Sequence, residues 1–147
     1  MKINYKKLFI SLIIPLGVGF IVGMISGSGK GYSGMVQPSF APPGWVFPVV
    51  WTILYILMGI GDYLVKDEKS LEIYKRQLAV NLVWSFLFFT FKWYLISFLW
   101  IILLVVLVVK MIKEFNSINK TAGKLQIPYL IWIIFAGILN FSIYILN

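Results

Sequence analysis

The sequence predicts an all-α integral membrane protein: a single domain over residues 1–147, folded as a bundle of five transmembrane helices. Three observations support that expectation. Apolar residues make up 61% of the chain and charged ones 12%, against about 45–50% and about 25% in soluble domains. The apolar residues form continuous runs, without the alternation that a lipid-facing barrel strand needs. The basic residues gather at alternate junctions between those runs.

The first segment, about Leu8–Ser26, follows Lys2, Lys6 and Lys7. Its apolar run is longer than a signal-peptide core and no small-residue cleavage site follows, so it is expected to be retained as a helix. Pro15 is expected to kink it. Gly19-x-x-x-Gly23 and Gly23-x-x-x-Gly27 would let another helix approach closely, from within the chain or from a second copy. The second segment, about Gly44–Val65, follows a proline-rich loop containing Pro38, Pro42 and Pro43. Prolines suit a helix start, because their missing N–H is unpaired there anyway.

Residues 77–109 hold one charge, Lys92. As one helix that run would measure ~50 Å, too long for a single crossing of a ~30 Å hydrocarbon core. It is therefore divided into a third segment, about Tyr74–Phe91, and a fourth, about Tyr94–Ile112, turning near Lys92. The fifth is about Leu125–Leu146. With five spans, eleven Lys and Arg fall on the side of the N-terminus, among them Lys66, Lys69, Lys75, Arg76, Lys110, Lys113, Lys120 and Lys124. Two, Lys30 and Lys92, fall on the other. That asymmetry predicts a cytoplasmic N-terminus and an outside C-terminus; the expected location is the plasma (inner) membrane.

The chain contains neither Cys nor His. This excludes thiol chemistry, disulfides, zinc sites, histidine-based triads and histidine-ligated haem, and no metal site is expected. The acid nearest mid-membrane, Asp62, lies close to a helix end, which disfavours proton-coupled transport. The chemistry must come from aromatic and amide side chains. Phe47, Trp51 and Tyr55 recur every fourth residue and share one helix face. Such a stripe either packs a neighbouring helix or lines a pocket for a flat apolar ligand. Gln77, Asn81, Trp84, Ser85 and Phe88 share a face of segment three, as do Tyr129, Trp132, Ala136 and Asn140 on segment five. Asn81 and Asn140 should point into the bundle, either as hydrogen bonds between helices or as polar contacts of a pocket.

Three blocks resemble one known family. PSFAPPGWVFPVVWTILYILMG (residues 38–59), QLAVNLVWSFLFF (77–89) and PYLIWIIFAGILN (128–140) are similar in order and spacing to the signature blocks of the TspO/translocator-protein family, the tryptophan-rich sensory proteins. The resemblance implies a five-helix bundle, usually a homodimer, whose first loop covers a pocket. It also implies ligands of the family's kind: porphyrins, sterols and drug-like aromatic compounds. Carried over by motif, Trp51, Asn81, Trp84, Phe88, Trp132 and Ala136 would line the pocket, and Tyr32 and Pro42 would close it. Phe47, Tyr55, Phe135 and Asn140, on the same faces, are counted with them as ligand-binding candidates.

The expected function is therefore a membrane receptor for protoporphyrin-type tetrapyrroles and related flat ligands. The porphyrin is a ligand; no cofactor is obligatory. Membrane lipid and a second copy of the chain are the other expected partners, and nucleic acid is not. Light-dependent oxidative degradation of the ligand is attributed to some family members. Because no acid–base pair is present, Trp51 and Trp132 would act there as oxidisable partners of the photosensitised porphyrin, the residues nearest to a catalytic role. The alternative is a transporter or a regulatory sensor subunit for hydrophobic metabolites.

Overall fold

The first helix, α1 (Tyr5–Ser26), starts where the Asn4 side chain accepts from the Lys7 backbone N–H at 3.2 Å and ends at Gly27. Gly27 has φ 72°, the left-handed conformation that closes a helix and that a side chain would strain. A short helix, α2 (Ser28–Ser33), follows at once, and an irregular loop containing Pro38, Pro42 and Pro43 leads into α3 (Val46–Val65). The computed structural model describes residues 2–65 and 68–147; Lys66, one of the basic residues counted above, lies outside them. The chain continues as α4 (Glu68–Ser85), which runs on as a π-helical segment, Phe86–Thr90. Next come α5 (Tyr94–Ile118), the short α6 (Lys120–Lys124) and α7 (Ile127–Leu146).

The hairpin expected near Lys92 is present. Lys92 has φ 57°, and the Phe91 and Trp93 N–H groups bond back to the Phe86 and Leu87 carbonyls, each at 2.9 Å. Asn119 caps α6 by accepting from the Ala122 N–H at 3.1 Å, and Pro128 occupies the first turn of α7. The described residues are helical with turns and loops between, and no strand occurs among them.

Among the described residues, four stretches are long and apolar enough to cross a membrane: α1, α3, α5 and the run Lys120–Leu146 through α6 and α7. The third expected segment is helical but differs in character. Its first half, Glu68 to Arg76, is rich in charge, and its apolar part begins only at Gln77 and ends in the π-helical turn. From Gln77 to Thr90 an α-helical rise would amount to only ~20 Å.

α1 packs chiefly on α3, α4 on α5, and α5 on α7. Gly59 brings α1 and α3 together, since a Cβ there would sit 2.6 Å from the Ser11 carbonyl and 2.9 Å from the Leu12 Cα. The centre is closed by Met58, Val108, Met111, Phe115, Tyr129, Ile133 and Ile143, all fully buried. Polar side chains tie the helices: Trp100 Nε1 donates to the Val80 carbonyl at 2.8 Å, and Gln126 Nε2 to that of Leu57 at 2.9 Å. Of α1, only Pro15 and Ser26 are buried. Phe9, Ile13, Ile14, Ile21 and Ile25 point outward, a surface suited to lipid and costly in water.

Candidate functional site

The aromatic stripe of α3 forms one wall of a cavity of about 520 Å³, within the ~300–1,000 Å³ usual for small-molecule sites. Phe47, Trp51 and Tyr55 all line it, as the fourfold spacing on a helix requires. Gly19 and Gly23 of α1 form the facing wall, Tyr32 of α2 and Gly44 and Trp45 of the loop cover it, and Trp84, Ser85 and Phe89 complete it.

Ring geometry fixes the shape. Trp51 and Tyr55 are stacked with centroids 5.6 Å apart and planes at 28°. Tyr129 meets Trp51 edge-on at 6.1 Å, and Tyr32 meets Phe47 edge-on at 4.7 Å. Trp84 is stacked on Phe88 at 4.9 Å and held edge-on by Phe89 at 5.7 Å. Gly19 makes room for this arrangement, because a Cβ there would overlap the Tyr55 ring. Gly31 seats α2 on the π-helical segment, where a Cβ would come within 3.3 Å of Phe89.

Behind the wall runs a buried polar network. The Tyr55 hydroxyl donates to Asn81 Oδ1 at 3.1 Å, Asn81 Nδ2 donates to the Tyr129 hydroxyl at 2.7 Å, and that hydroxyl donates to Gln77 Oε1 at 2.7 Å. A second link joins Trp84 Nε1 to Asn140 Oδ1 at 3.0 Å, and Asn140 Nδ2 donates to the Tyr94 carbonyl at 2.8 Å. Asn81 and Asn140 thus bond between helices and orient the rings of the wall from behind. Unpaired amides in such a site would cost more than they give.

The other candidates surround this wall. Tyr32 both lines the cavity and closes it, its hydroxyl donating to the Pro42 carbonyl at 2.7 Å. Burial pushes that hydroxyl's pKa above the usual tyrosine value, further favouring the protonated form that donates this bond. Phe88 lies behind Trp84, and Ala136 is buried on α7. Trp132 and Phe135 form a chain of rings, 5.4 Å apart, that reaches Phe47 at 5.8 Å on one side and Phe40 at 6.4 Å on the other. Trp132 Nε1 is buried and has no acceptor among the described residues.

The sequence pattern did not point to α1, which contributes Leu16, Gly19, Phe20, Gly23 and Met24 to the cavity. The available signal was the Gly19–Gly23 spacing: Gly19 receives the Tyr55 ring, while Gly23 has no neighbour within 4 Å of a Cβ and leaves open space. Among the described residues, no charged side chain lines the cavity and no group of acidic residues is placed to hold a metal ion. The site can stack a flat aromatic molecule and offer it hydroxyls from Tyr32, Thr52 and Ser85; it holds no acid–base pair.

Comparison with known sequences agrees with the resemblance of the three blocks. The pattern of the TspO/MBR family matches residues 11–146. The chain is 36% identical to the tryptophan-rich protein TspO of Archaeoglobus fulgidus, covering 98% of this chain and 99% of that protein. It is 40% identical to the tryptophan-rich protein TspO of Chlorobaculum tepidum, over 79% and 78%. It is 32% identical to the translocator protein of Homo sapiens, over 86% and 82%.

Proposed function

Because this chain belongs to the TspO/MBR family of membrane proteins, we propose that it is a membrane receptor for protoporphyrin-type tetrapyrroles and similar flat apolar molecules. The observation that carries this reading is the aromatic cavity itself, with a stacked Trp51–Tyr55 pair on one side and Trp84 on another. A tetrapyrrole is flat and aromatic, so indole and phenol rings gain stacking area on its face while hydroxyls meet its polar edge. The unpaired Trp132 N–H, one ring beyond Phe47, offers a further donor to a ligand that displaces Phe47.

The protein spans the membrane five times in this reading, with the α4 and π-helical stretch as the additional crossing, and functions as a homodimer. Its basic junctions lie in the cytoplasm and its loop and cavity mouth outside, at the plasma membrane. Single cysteines in this cysteine-free chain test that orientation. Ser33 and Ser117 are both exposed. In intact cells Ser33→Cys should react with an impermeant maleimide and Ser117→Cys should react only after lysis. The opposite pattern would invert the topology.

Binding is tested by titrating protoporphyrin against tryptophan fluorescence in detergent. Trp51→Ala and Asn81→Ala should each weaken binding by about 1–3 kcal/mol, the scale of one lost aromatic contact or one disrupted buried polar link. Parent-like affinity in both would remove the cavity from consideration. The same samples, illuminated in air, test light-dependent breakdown. Bound protoporphyrin should bleach in light and persist in darkness, with a product yield that changes in Trp51→Phe because phenylalanine is harder to oxidise than indole. Bleaching that is identical without protein would leave a binding function alone.

A further inference from the structure

The loop that covers the cavity is hydrogen-bonded to the end of α7 through one side chain. Asn147, at the end of α7, accepts from the Val36 backbone N–H through Oδ1 at 3.2 Å and donates through Nδ2 to the Val36 carbonyl at 2.9 Å. A primary carboxamide carries a donor and an acceptor side by side, so it can pair with both backbone groups of one extended residue. The amide is itself oriented, because Nδ2 also donates to the Ile143 carbonyl at 2.8 Å and the Asn147 N–H bonds the same carbonyl at 3.0 Å.

Val36 lies midway along the cover. Tyr32, before it, and Gly44, Trp45 and Phe47, after it, all line the cavity. Among the described residues, the other hydrogen bonds of residues 34–45 stay within the cover or join it to the adjoining ends of α2 and α3. Within it, Gln37 Nε2 donates to the Tyr32 carbonyl at 2.9 Å, the Ala41 N–H to that of Pro38 at 3.1 Å and Tyr32 Oη to that of Pro42 at 2.7 Å. The Gly34 and Met35 N–H groups donate to the Lys30 and Tyr32 carbonyls at one end, and the Val46 and Phe47 N–H groups to the Pro43 and Gly44 carbonyls at the other. These bonds make the cover a preformed unit. None of them reaches α7. The attachment to α7 comes from Asn147 and from the Phe40–Phe135 ring contact at 6.4 Å.

We infer that Asn147 is the latch of the lid, a positioning residue whose carboxamide holds residues 34–45 over the cavity and sets how fast a ligand passes. The inference rests on the cavity being the ligand site. Loss of the latch frees the cover, Gly44 and Trp45 included, while the cavity walls on α1, α3 and α4 stay in place. Association and dissociation then accelerate together, and affinity changes little.

The test uses Ser85→Cys, at the cavity wall, as the single thiol of the chain, in lipid nanodiscs where lipid covers the outward face of α1. A water-soluble maleimide reports how often the lid opens. Adding Asn147→Ala should accelerate labelling roughly tenfold, the effect of two lost exposed-edge hydrogen bonds, and Asn147→Asp, which keeps only the acceptor, roughly threefold. Ser142→Ala, whose hydroxyl bonds only within α7, should leave the rate unchanged. Stopped-flow mixing with protoporphyrin should show both rate constants raised in Asn147→Ala at nearly constant Kd. Unchanged labelling in both Asn147 variants, with protoporphyrin still bound, overturns the latch. Accelerated labelling in a protein that binds no protoporphyrin upholds the latch and removes the porphyrin reading. If Asn147→Ala fails to fold, as judged by gel filtration, Asn147→Asp decides the question alone.

Discussion

Gly59→Leu is expected to destabilise the protein by about 3 kcal/mol, at the upper end of what overpacking costs. The first atom of the new side chain would already press on the α1 backbone, at the Ser11 carbonyl and the Leu12 Cα. A backbone cannot rotate away as a side chain can, so α1 must move off α3. Nothing else holds α1 as strongly, because it packs chiefly on α3 and buries only Pro15 and Ser26. Since α1 is also a cavity wall, ligand binding should fall along with stability. Gly17→Leu is the control, as a Cβ there meets nothing within 4 Å. Thermal unfolding in detergent should show a large loss for Gly59→Leu and almost none for Gly17→Leu. Equal effects would mean that glycine is retained at these positions for reasons other than helix contact.

Trp84→Ala should cost more still, about 3–5 kcal/mol, as usual when a buried indole is removed without relaxation of its surroundings. Trp84 is 7% exposed, stacks on Phe88, meets Phe89 edge-on and donates to Asn140. Trp84→Phe separates these roles. It keeps a ring for stacking but leaves Asn140 Oδ1 without its donor, a loss of about 1 kcal/mol. The second substitution Asn140→Leu should then cost less in the Trp84→Phe background than in the parent, and a double-mutant cycle in denaturant or heat measures that coupling. Strict additivity would show that the Trp84–Asn140 bond contributes nothing to stability. For ligand binding, Trp84→Phe should retain most of the affinity and Trp84→Ala should lose it, since Trp84 lines the cavity.

Features governed by local rules were legible in the sequence. The helical spacing of Phe47, Trp51 and Tyr55 was enough to place three rings on one face, and that face lines the cavity. The turn at Lys92 followed from the length of the apolar run against membrane thickness, and the chain does reverse there. The third segment was less legible. Its charged first half and apolar second half belong to one helical stretch, Glu68–Thr90, whose last turn is π-helical. Residue pattern contains no signal for a changed hydrogen-bond register.

The two asparagines illustrate the same boundary. Their burial followed from the cost of an amide facing lipid, but their partners did not. Asn81 meets Tyr55 and Tyr129 from 26 and 48 residues away, and Asn140 meets Trp84 from 56.

The amino-acid sequence by itself determined that this protein is an apolar helical membrane protein of the TspO/MBR family, free of thiol and histidine chemistry, with an aromatic face on α3. Transfer free energy and the 3.6-residue period are properties of single segments, so composition and spacing suffice to reveal them. Only the tertiary structure decided that α1 forms a cavity wall, that Gly19 and Gly59 are the close-approach points, and that Asn147 fastens Val36 across 111 residues of chain. Those facts depend on which surfaces meet. Van der Waals contact and hydrogen bonding act over a few ångströms in space, whatever the separation in sequence.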